Sequence, residues 1–179
     1  LAWGAKLIDT YGSAESAFGI AAECIYQDGL HTAESDFWIE IIDPATGKVL
    51  PDGQEGELVF TTLSRRGMPL VRYRTGDLTH LIPVGPRCPC SLPVRKMARV
   101  RGRIDDVLII GAGWNLYPDQ IDQALLSIPG VADYQLTIEK DSYRDVLHLA
   151  VEVGSPTAHS RDVLCTALMS IPSIHSSCE

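Results

Sequence analysis

The feature that most constrains the fold of this sequence is a change of residue pattern near Arg103. Before that point, short runs rich in β-branched and aromatic residues alternate with turns that contain proline and glycine. After it, compact apolar runs alternate with segments whose apolar residues recur at helical spacing. The first pattern is typical of closely spaced strands and the second of mixed strands and helices. We therefore predict an α+β fold with two subdomains, residues 1–102 and 103–179.

The first subdomain is predicted to be rich in β-structure. Its apolar runs carry the side chains that strands favour, and the segments between them hold proline and glycine at turn positions. Short strands at such close spacing indicate a small antiparallel sheet or a partial barrel. Strands are predicted over residues 6–12, 37–42, 48–50 and 56–62.

The second subdomain is predicted to alternate strands with helices. Pro118 suits the first turn of a helix, and the helical spacing that follows it stops at Pro129-Gly130. A small α+β unit of strand, helix, strand, strand and helix follows from this order. The strands are predicted over residues 107–110, 131–139 and 146–153, and a final helix over 158–170.

Charge and hydropathy exclude some classes of function. The formal net charge of −8 argues against a protein that binds nucleic acid, because such binding depends on clustered Lys and Arg. The short basic stretch 95–103 fits either attraction for a small polyanion such as a nucleotide or a merely solvated face. No apolar run reaches the length of about 18 residues that a membrane span needs, and residues 1–6 lack the pattern of a signal peptide. We therefore expect no membrane partner and a cytoplasmic location.

The cysteines predict a metal site more readily than a disulfide framework. Their number is five, which is odd, and no secretory signal precedes them. Three thiolates and one imidazole would complete a closed, structural zinc site. Unmetallated thiols are the open alternative, and Cys165 and Cys178 are interpreted as structural or incidental. The predicted zinc ligands are Cys24, His31, Cys88 and Cys90.

Three separated segments form a set of motifs in a fixed order. They are Tyr11-Gly12-Ser13-Ala14-Glu15, Tyr73-Arg74-Thr75-Gly76-Asp77, and Gly102-Arg103-Ile104-Asp105-Asp106 with its continuation Asn115-Leu116-Tyr117-Pro118. Together they resemble the adenylate-forming acyl-CoA synthetases, and the residues of the second and third motifs are similar to the phenylacetate–CoA ligase branch of that superfamily. The resemblance covers the chain to about Val153 and rests on three motifs with matching gaps.

The resemblance implies a nucleotide site around the first two motifs. Asp77 would accept hydrogen bonds from both ribose hydroxyls, and the alternative is a turn aspartate bonded to its own backbone. Tyr11, followed by Gly12, would stack against adenine, with a buried structural tyrosine as the alternative. Glu15 would act in catalysis by holding Mg²⁺ near the phosphates of ATP, as suits a hard cation, although a lone glutamate is more often a surface residue.

The third motif implies a hinge between the subdomains. In the resembled family, the carboxy-terminal lid rotates here between the adenylation and thioester-forming poses. Arg103 would approach the nucleotide as a catalytic residue, and Asp105 would absorb the backbone rotation. Gly113 would line the path of the coenzyme A pantetheine arm. A plain linker is the alternative interpretation of this segment.

Two features depart from the family pattern. Ala14 occupies a position where the family has a hydroxyl residue that contacts phosphate, and Ser13 beside it would point the other way in an extended segment. The family's phosphate loop would lie upstream of residue 1, and residues 170–179 contain no lysine of the kind that contacts the acyl carboxylate. The sequence is therefore expected to be a carboxy-terminal fragment of a larger AMP-binding enzyme, inactive alone.

The leading hypothesis for the parent protein is an ATP-dependent ligase that joins an aromatic carboxylic acid to coenzyme A. Its expected ligands are ATP or AMP, Mg²⁺, the aromatic acid and coenzyme A, with zinc as a structural ion and a homodimer as the assembly. One alternative is an adenylating enzyme with a different acyl acceptor. Another is a non-catalytic, zinc-stabilised nucleotide-binding or structural module, which Ala14 and the missing lysine favour.

Overall fold

The structure is a computed structural model that describes residues 4–16, 19–85, 88–111, 113–140, 145–154 and 161–177. The chain divides into two compact units, Leu1–Ile104 (unit 1) and Asp105–Glu179 (unit 2). Each unit has its own cluster of buried apolar side chains. The hinge role of Asp105 remains a prediction.

Unit 1 is built from two antiparallel sheets, each with four strands among the described residues. The first sheet has the order β1-β2-β3-β7 and the second the order β4-β5-β6-β8. The small antiparallel β-structure expected from the sequence is confirmed, and it forms two sheets. The strands are β1 (Thr10–Gly12), β2 (Gly19–Glu23), β3 (Leu30–Thr32), β4 (Phe37–Ile42), β5 (Gly56–Thr62), β6 (Tyr73–Thr79), β7 (Lys96–Met97) and β8 (Gly102–Arg103).

Aromatic rings form the centre of the unit 1 core. Phe60 is fully buried, and its ring meets Phe37 of the neighbouring strand edge to face at a centroid distance of 5.6 Å. On its other side, Phe60 lies 5.2 Å from the ring of Tyr73. Because Tyr73 begins the strand that carries Asp77, the core directly supports the segment with the predicted nucleotide ligand.

Unit 2 has the predicted α+β composition. Its first strands form a hairpin, and its longest two form a second antiparallel pair. A single 3-10 turn, Ile104–Asp106, precedes them among the described residues. The elements are β9 (Leu108–Ile110), β10 (Trp114–Leu116), α1 (Pro118–Leu125), β11 (Val131–Lys140), β12 (Asp145–Val153), α2 (Arg161–Met169) and α3 (Pro172–Ser177).

The first helix of unit 2 begins where the sequence predicts. Tyr117 precedes it with extended backbone, and Pro118 fills the first helical position, where its missing N–H has no cost. The side chain of Gln120 accepts a hydrogen bond from the Tyr117 backbone N–H at 3.1 Å. Ile121 and Leu125 face the core one helical turn apart. The predicted α+β fold class is confirmed.

Some element boundaries differ from the prediction. The first strand is confined to Thr10–Gly12, and residues 48–50 make only one bridge, between Val49 and Ile42. The final helix was predicted from residue 158, but residues 158–160 lie outside the described part, and a second short helix at Pro172–Ser177 was missed. Among the described residues, no helix combines the length and apolar character needed to cross a membrane.

Candidate nucleotide site and cysteine–histidine cluster

Asp77 lies on a bulge in β6. The β5–β6 register pairs Glu57 with Leu78 and Val59 with Arg74. Between these two pairs, β5 has one residue and β6 has three, namely 75, 76 and 77, so β6 carries two extra residues. Gly76, in the middle, has a φ of +76°, which glycine adopts without steric cost. The expected turn before Asp77 is therefore a bulge within a strand.

Side chains satisfy the backbone groups of this bulge. The Thr75 hydroxyl donates to the Leu58 carbonyl at 2.9 Å and accepts from the Asp77 backbone N–H at 3.0 Å. The carboxylate of Glu57 accepts from the Gly76 N–H at 3.1 Å. Thr75 and Glu57 were not predicted from the sequence as site residues. The feature of the sequence that could have indicated Glu57 is the presence of an acidic residue within an apolar strand.

Tyr11 contacts Asp77 directly. Its hydroxyl donates to Asp77 Oδ2 at 2.6 Å, across 66 positions of sequence. Burial, and then the hydrogen bond to the Asp77 carboxylate, raise the pKa of Tyr11, so it remains a donor at neutral pH. An ionised carboxylate has about four acceptor sites, so Asp77 keeps capacity for further donors such as ribose hydroxyls. The predicted stacking of Tyr11 on adenine remains a prediction.

Arg103 lies on the other side of Asp77. The two residues are cross-strand partners in the β6–β8 ladder, and Arg103 Nε is 3.8 Å from Asp77 Oδ1. Its NH2 group also donates to the Thr75 carbonyl at 3.1 Å. The Arg103 side chain is 62% exposed, so its charge remains available to a ligand in solvent.

Glu15 belongs to the same neighbourhood. It lies in a turn after Gly12, which ends β1, and Arg65 donates to its carbonyl at 2.6 Å. The Glu15 backbone N–H, then the Ser13 hydroxyl, lower the pKa of its carboxyl, and Arg103 acts in the same direction. Arg103, which lies beside Asp77, is thus also close enough to Glu15 to act on its carboxylate. A turn here contradicts the extended segment expected for Ser13, because the Ser16 hydroxyl donates to the Ser13 carbonyl at 2.8 Å.

The remaining predicted nucleotide-site residues belong to unit 2. Asp105 is exposed in the 3-10 turn Ile104–Asp106. Gly113 has a φ of +106° in the β9–β10 turn, where its N–H donates to the Ile110 carbonyl at 3.2 Å. An added Cβ at Gly113 would meet nothing within 4 Å, so its glycine identity follows from backbone conformation. Ala112 lies outside the described residues.

The four predicted zinc ligands form one cluster in unit 1. Their donor atoms all lie within 4.8 Å of one another. Cys24 Sγ is 3.5 Å from Cys88 Sγ, and Cys90 Sγ is 3.4 Å from His31 Nε2. A tetrahedral zinc ion separates two thiolates by about 3.8 Å and a thiolate from an imidazole nitrogen by about 3.5 Å. The donor set and its spacing therefore fit zinc.

Three local structures bring the cluster together. Cys24 follows β2 directly, and a turn closes there with a 3.0 Å hydrogen bond from the Gln27 N–H to the Cys24 carbonyl. Cys88 starts a second turn, closed by the Ser91 N–H at 2.9 Å, which contains Cys90. His31 lies within β3 and is buried. Of the other cysteines, Cys165 is exposed on α2, and Cys178 lies outside the described residues.

One cysteine of the cluster, Cys24, has a lowered pKa. The backbone N–H of Tyr26, followed by the His31, Cys88 and Cys90 side chains, lowers the pKa of Cys24 to about 6. Cys24 is therefore largely ionised at neutral pH. The thiolate is the form that binds metal, so the local hydrogen bonds favour ligation.

Known proteins with a similar sequence are CoA ligases. Residues 113–171 match the family described as AMP-binding enzyme C-terminal domain. The phenylacetate-coenzyme A ligase of Aromatoleum evansii is 47% identical over 154 residues, which cover 84% of this chain and 34% of that protein. The phenylacetate-coenzyme A ligase of Pseudomonas putida is 43% identical over 159 residues, 87% of this chain and 35% of its own length.

Solved structures of CoA ligases are similar to this chain in fold, and one of them also in sequence. A 2-hydroxyisobutyryl-CoA ligase, in the postadenylation state in complex with 2-HIB-AMP, matches with a TM-score of 0.79 at 32% identity, over 98% of this chain and 38% of its own. The o-succinylbenzoate CoA synthetase of Bacillus subtilis matches with a TM-score of 0.67 at 20% identity, over 92% of this chain and 34% of its own, and shows the fold alone.

In sequence and in fold, this chain is therefore similar to CoA ligases that form an acyl-adenylate. Within that class, the chain matches the phenylacetate–coenzyme A ligases at 39–47% identity over about 85% of its length, which confirms the resemblance predicted from its motifs. The chain spans about a third of the length of the curated relatives it matches.

Proposed function

We propose that the protein is an ATP-dependent ligase that joins an aromatic carboxylic acid to coenzyme A, and that unit 1 of this chain holds the ribose of the nucleotide. One observation carries the proposal: Asp77 is presented on a bulge, with Tyr11 bonded to it and Arg103 beside it. A carboxylate that keeps free acceptor sites next to an exposed cation suits a ribose phosphate. The phenylacetate ligases among the relatives support the choice of an aromatic acid.

The proposed reaction has two steps. A carboxylate oxygen of the acid attacks the α-phosphorus of ATP, and the bond from that phosphorus to the bridging oxygen breaks, so that pyrophosphate leaves with the electron pair. The sulfur of coenzyme A then attacks the acyl carbonyl carbon, the carbon–oxygen bond to AMP breaks, and the thiol proton is released. The product is the acyl thioester.

The residues of unit 1 have separate roles in this proposal. Asp77 fixes the ribose, and Tyr11 keeps the Asp77 carboxylate oriented, which holds the nucleotide in place for the in-line attack. Arg103 supplies positive charge to the α-phosphate as its negative charge increases. Glu15 is the proposed ligand for Mg²⁺, which when bound neutralises phosphate charge, and the lowered pKa of Glu15 keeps its carboxylate ionised.

Two residues of unit 2 are proposed to serve the second step. Asp105, exposed at the junction of the units, is the proposed pivot, because hinges are a few element-terminal residues that take up backbone rotation. Gly113 presents no side chain in the β9–β10 turn, so a pantetheine arm could approach the backbone closely there.

Replacing Asp77 by asparagine is expected to weaken AMP binding about 10- to 150-fold, because one charge-assisted hydrogen bond to ribose is worth about 1.5–3 kcal/mol. Isothermal calorimetry on this chain measures the effect. Asp52→Asn, on an exposed turn of the same unit, is the matched control and should bind AMP like the wild type. Equal affinities for Asp77→Asn and the wild type would remove Asp77 from the ribose role.

The acyl acceptor is tested on the complete protein. We expect phenylacetate to stimulate pyrophosphate release from ATP, and coenzyme A to convert the adenylate to thioester, both measured by chromatography. Pyrophosphate release without thioester would point to another acceptor. The absence of acid-dependent pyrophosphate release, together with AMP binding, would favour a non-catalytic nucleotide-binding module, for which Ala14 in the place of a hydroxyl residue is the specific observation.

The cysteine–histidine cluster is proposed as a closed structural zinc site. Four protein ligands leave no position open for a catalytic water, so zinc here would stabilise the fold. The free cysteines favour a reducing compartment such as the cytoplasm. The homodimer expected from the sequence stays a prediction, which light scattering would check.

A further inference from the structure

Glu57 is a buried carboxylate whose two oxygens have different partners. The residue is only 2% exposed. Its Oε1 accepts from the Gly76 backbone N–H at 3.1 Å. Its Oε2 accepts from Arg74 Nε at 2.7 Å and also from the Arg74 NH2 group. One acidic side chain of β5 therefore contacts the residue at each side of Thr75.

These contacts replace the strand ladder where the bulge interrupts it. The register passes from the Glu57–Leu78 pair to the Val59–Arg74 pair, and it gives Gly76 no partner in β5 among the described residues. A backbone N–H that is shielded from water and lacks an acceptor is costly, and Gly76 is half-buried, so the carboxylate takes the place of a strand carbonyl. Gly76 is the residue before Asp77, and its left-handed conformation sets the direction of the Asp77 side chain.

Burial of the Glu57 carboxylate has an energetic cost. Removing a carboxylate from water is unfavourable, and an ion pair often only offsets that cost. The partner, Arg74, is itself 52% exposed in its side chain and makes a second contact, to the Pro44 carbonyl at 3.0 Å. An apolar side chain would fill the same space without this cost, but it would offer no acceptor to Gly76. The need for a hydrogen-bond acceptor at the bulge explains why residue 57 is a glutamate.

We infer that Glu57 is the positioning residue for Asp77: it holds the β6 bulge in the shape that presents the Asp77 carboxylate to ribose. This inference rests on the proposed function, in which Asp77 is the ribose ligand. Glu57 itself acts through the backbone of Gly76 and does not touch the nucleotide.

The test is the affinity of Glu57→Gln for AMP, measured by calorimetry. Glutamine keeps the shape, but its single acceptor oxygen serves either Gly76 or Arg74, and its NH2 group opposes the other donor. We expect binding about tenfold weaker than the wild type. Glu40→Gln is the matched control, because Glu40 pairs with Arg72 at 3.1 Å on the same sheet and makes no contact with Gly76. It should bind AMP like the wild type.

Two further arms separate positioning from a general loss of structure. If Glu57 acts through Asp77, Glu57→Gln should change the affinity less than about twofold in an Asp77→Asn background. It should likewise have little effect on 2′,3′-dideoxy-AMP, which lacks the ribose hydroxyls. A merely structural role would weaken the binding of both nucleotides, in both backgrounds, and would overturn the inference.

The outcomes also separate this inference from the proposed function. If Asp77→Asn binds AMP like the wild type, both the proposed ribose site and the positioning role of Glu57 are overturned. If Asp77→Asn weakens binding while Glu57→Gln behaves like Glu40→Gln, only the positioning role is overturned. Should Glu57→Gln not fold, Arg74→Lys replaces it in the same arms, because lysine keeps the charge but loses the fork that grips the carboxylate.

Discussion

Replacing Cys88 by serine is expected to lower the free energy of unfolding by about 4 kcal/mol, the stabilisation that a ligand gives at a thousandfold excess over its dissociation constant. Cys88 is buried, and its sulfur lies 3.5 Å from that of Cys24, so serine removes one of the four candidate zinc ligands. Urea unfolding in the presence of zinc measures the loss. Metal analysis should find one zinc per wild-type chain and much less in the variant.

The matched control is Cys165→Ser, which changes the same chemical group on the exposed face of α2. It should retain zinc and unfold like the wild type. A chelator should bring the wild type to the stability of Cys88→Ser and leave that variant nearly unchanged. If chelation affects neither protein, or if well under one zinc per chain is found, the cluster consists of unmetallated thiols.

Replacing Phe60 by alanine is expected to cost about 3–5 kcal/mol, the usual range for emptying a buried aromatic site. Phe60 is fully buried between Phe37 and Tyr73, so alanine would leave a cavity in the core of unit 1. A domain of this size is stable by about 5–15 kcal/mol, so the change removes a large part of the margin. Thermal unfolding followed by circular dichroism measures it.

Trp38→Ala is the control for this core prediction. Trp38 lies on β4 of the same sheet, but it is 60% exposed, so its removal should cost much less than that of Phe60. Similar losses for the two variants would mean that burial of Phe60 does not control the stability of unit 1. Phe60→Ala should also weaken AMP binding, because Tyr73 packs on the Phe60 ring and begins the strand that carries Asp77.

Sequence patterns predicted elements where local composition and the final environment agree. The strands Phe37–Ile42 and Gly56–Thr62 were predicted with their observed bounds, because each is rich in residues that favour a half-buried sheet. The strand Tyr73–Thr79 was missed, because Thr75-Gly76-Asp77 is typical of a turn and only pairing with β5 and β8 makes it a strand. The division of the first hundred residues into two sheets depends on such long-range pairing, which local patterns do not encode.

The candidate site was predicted by residue chemistry rather than by position. Soft ligands suggested a metal, and the four donors do converge, although Cys24 and Cys88 are 64 positions apart. The contact between Tyr11 and Asp77 was not foreseen, since the motifs imply a role for each residue but no hydrogen bond between them. Glu57 escaped notice because its function is to satisfy a backbone N–H, which becomes visible only once the β6 bulge is known.

The two extra residues in β6 also limit how this bulged segment could be transferred to another protein. A protein engineer who copied only the five residues from Tyr73 to Asp77 into another scaffold would move the irregular strand without its acceptor. The recipient would then relax to an ordinary ladder, in which neighbouring side chains alternate between faces and the aspartate could turn inward. The smallest segment that could be transferred therefore consists of β5 and β6 together, including Glu57.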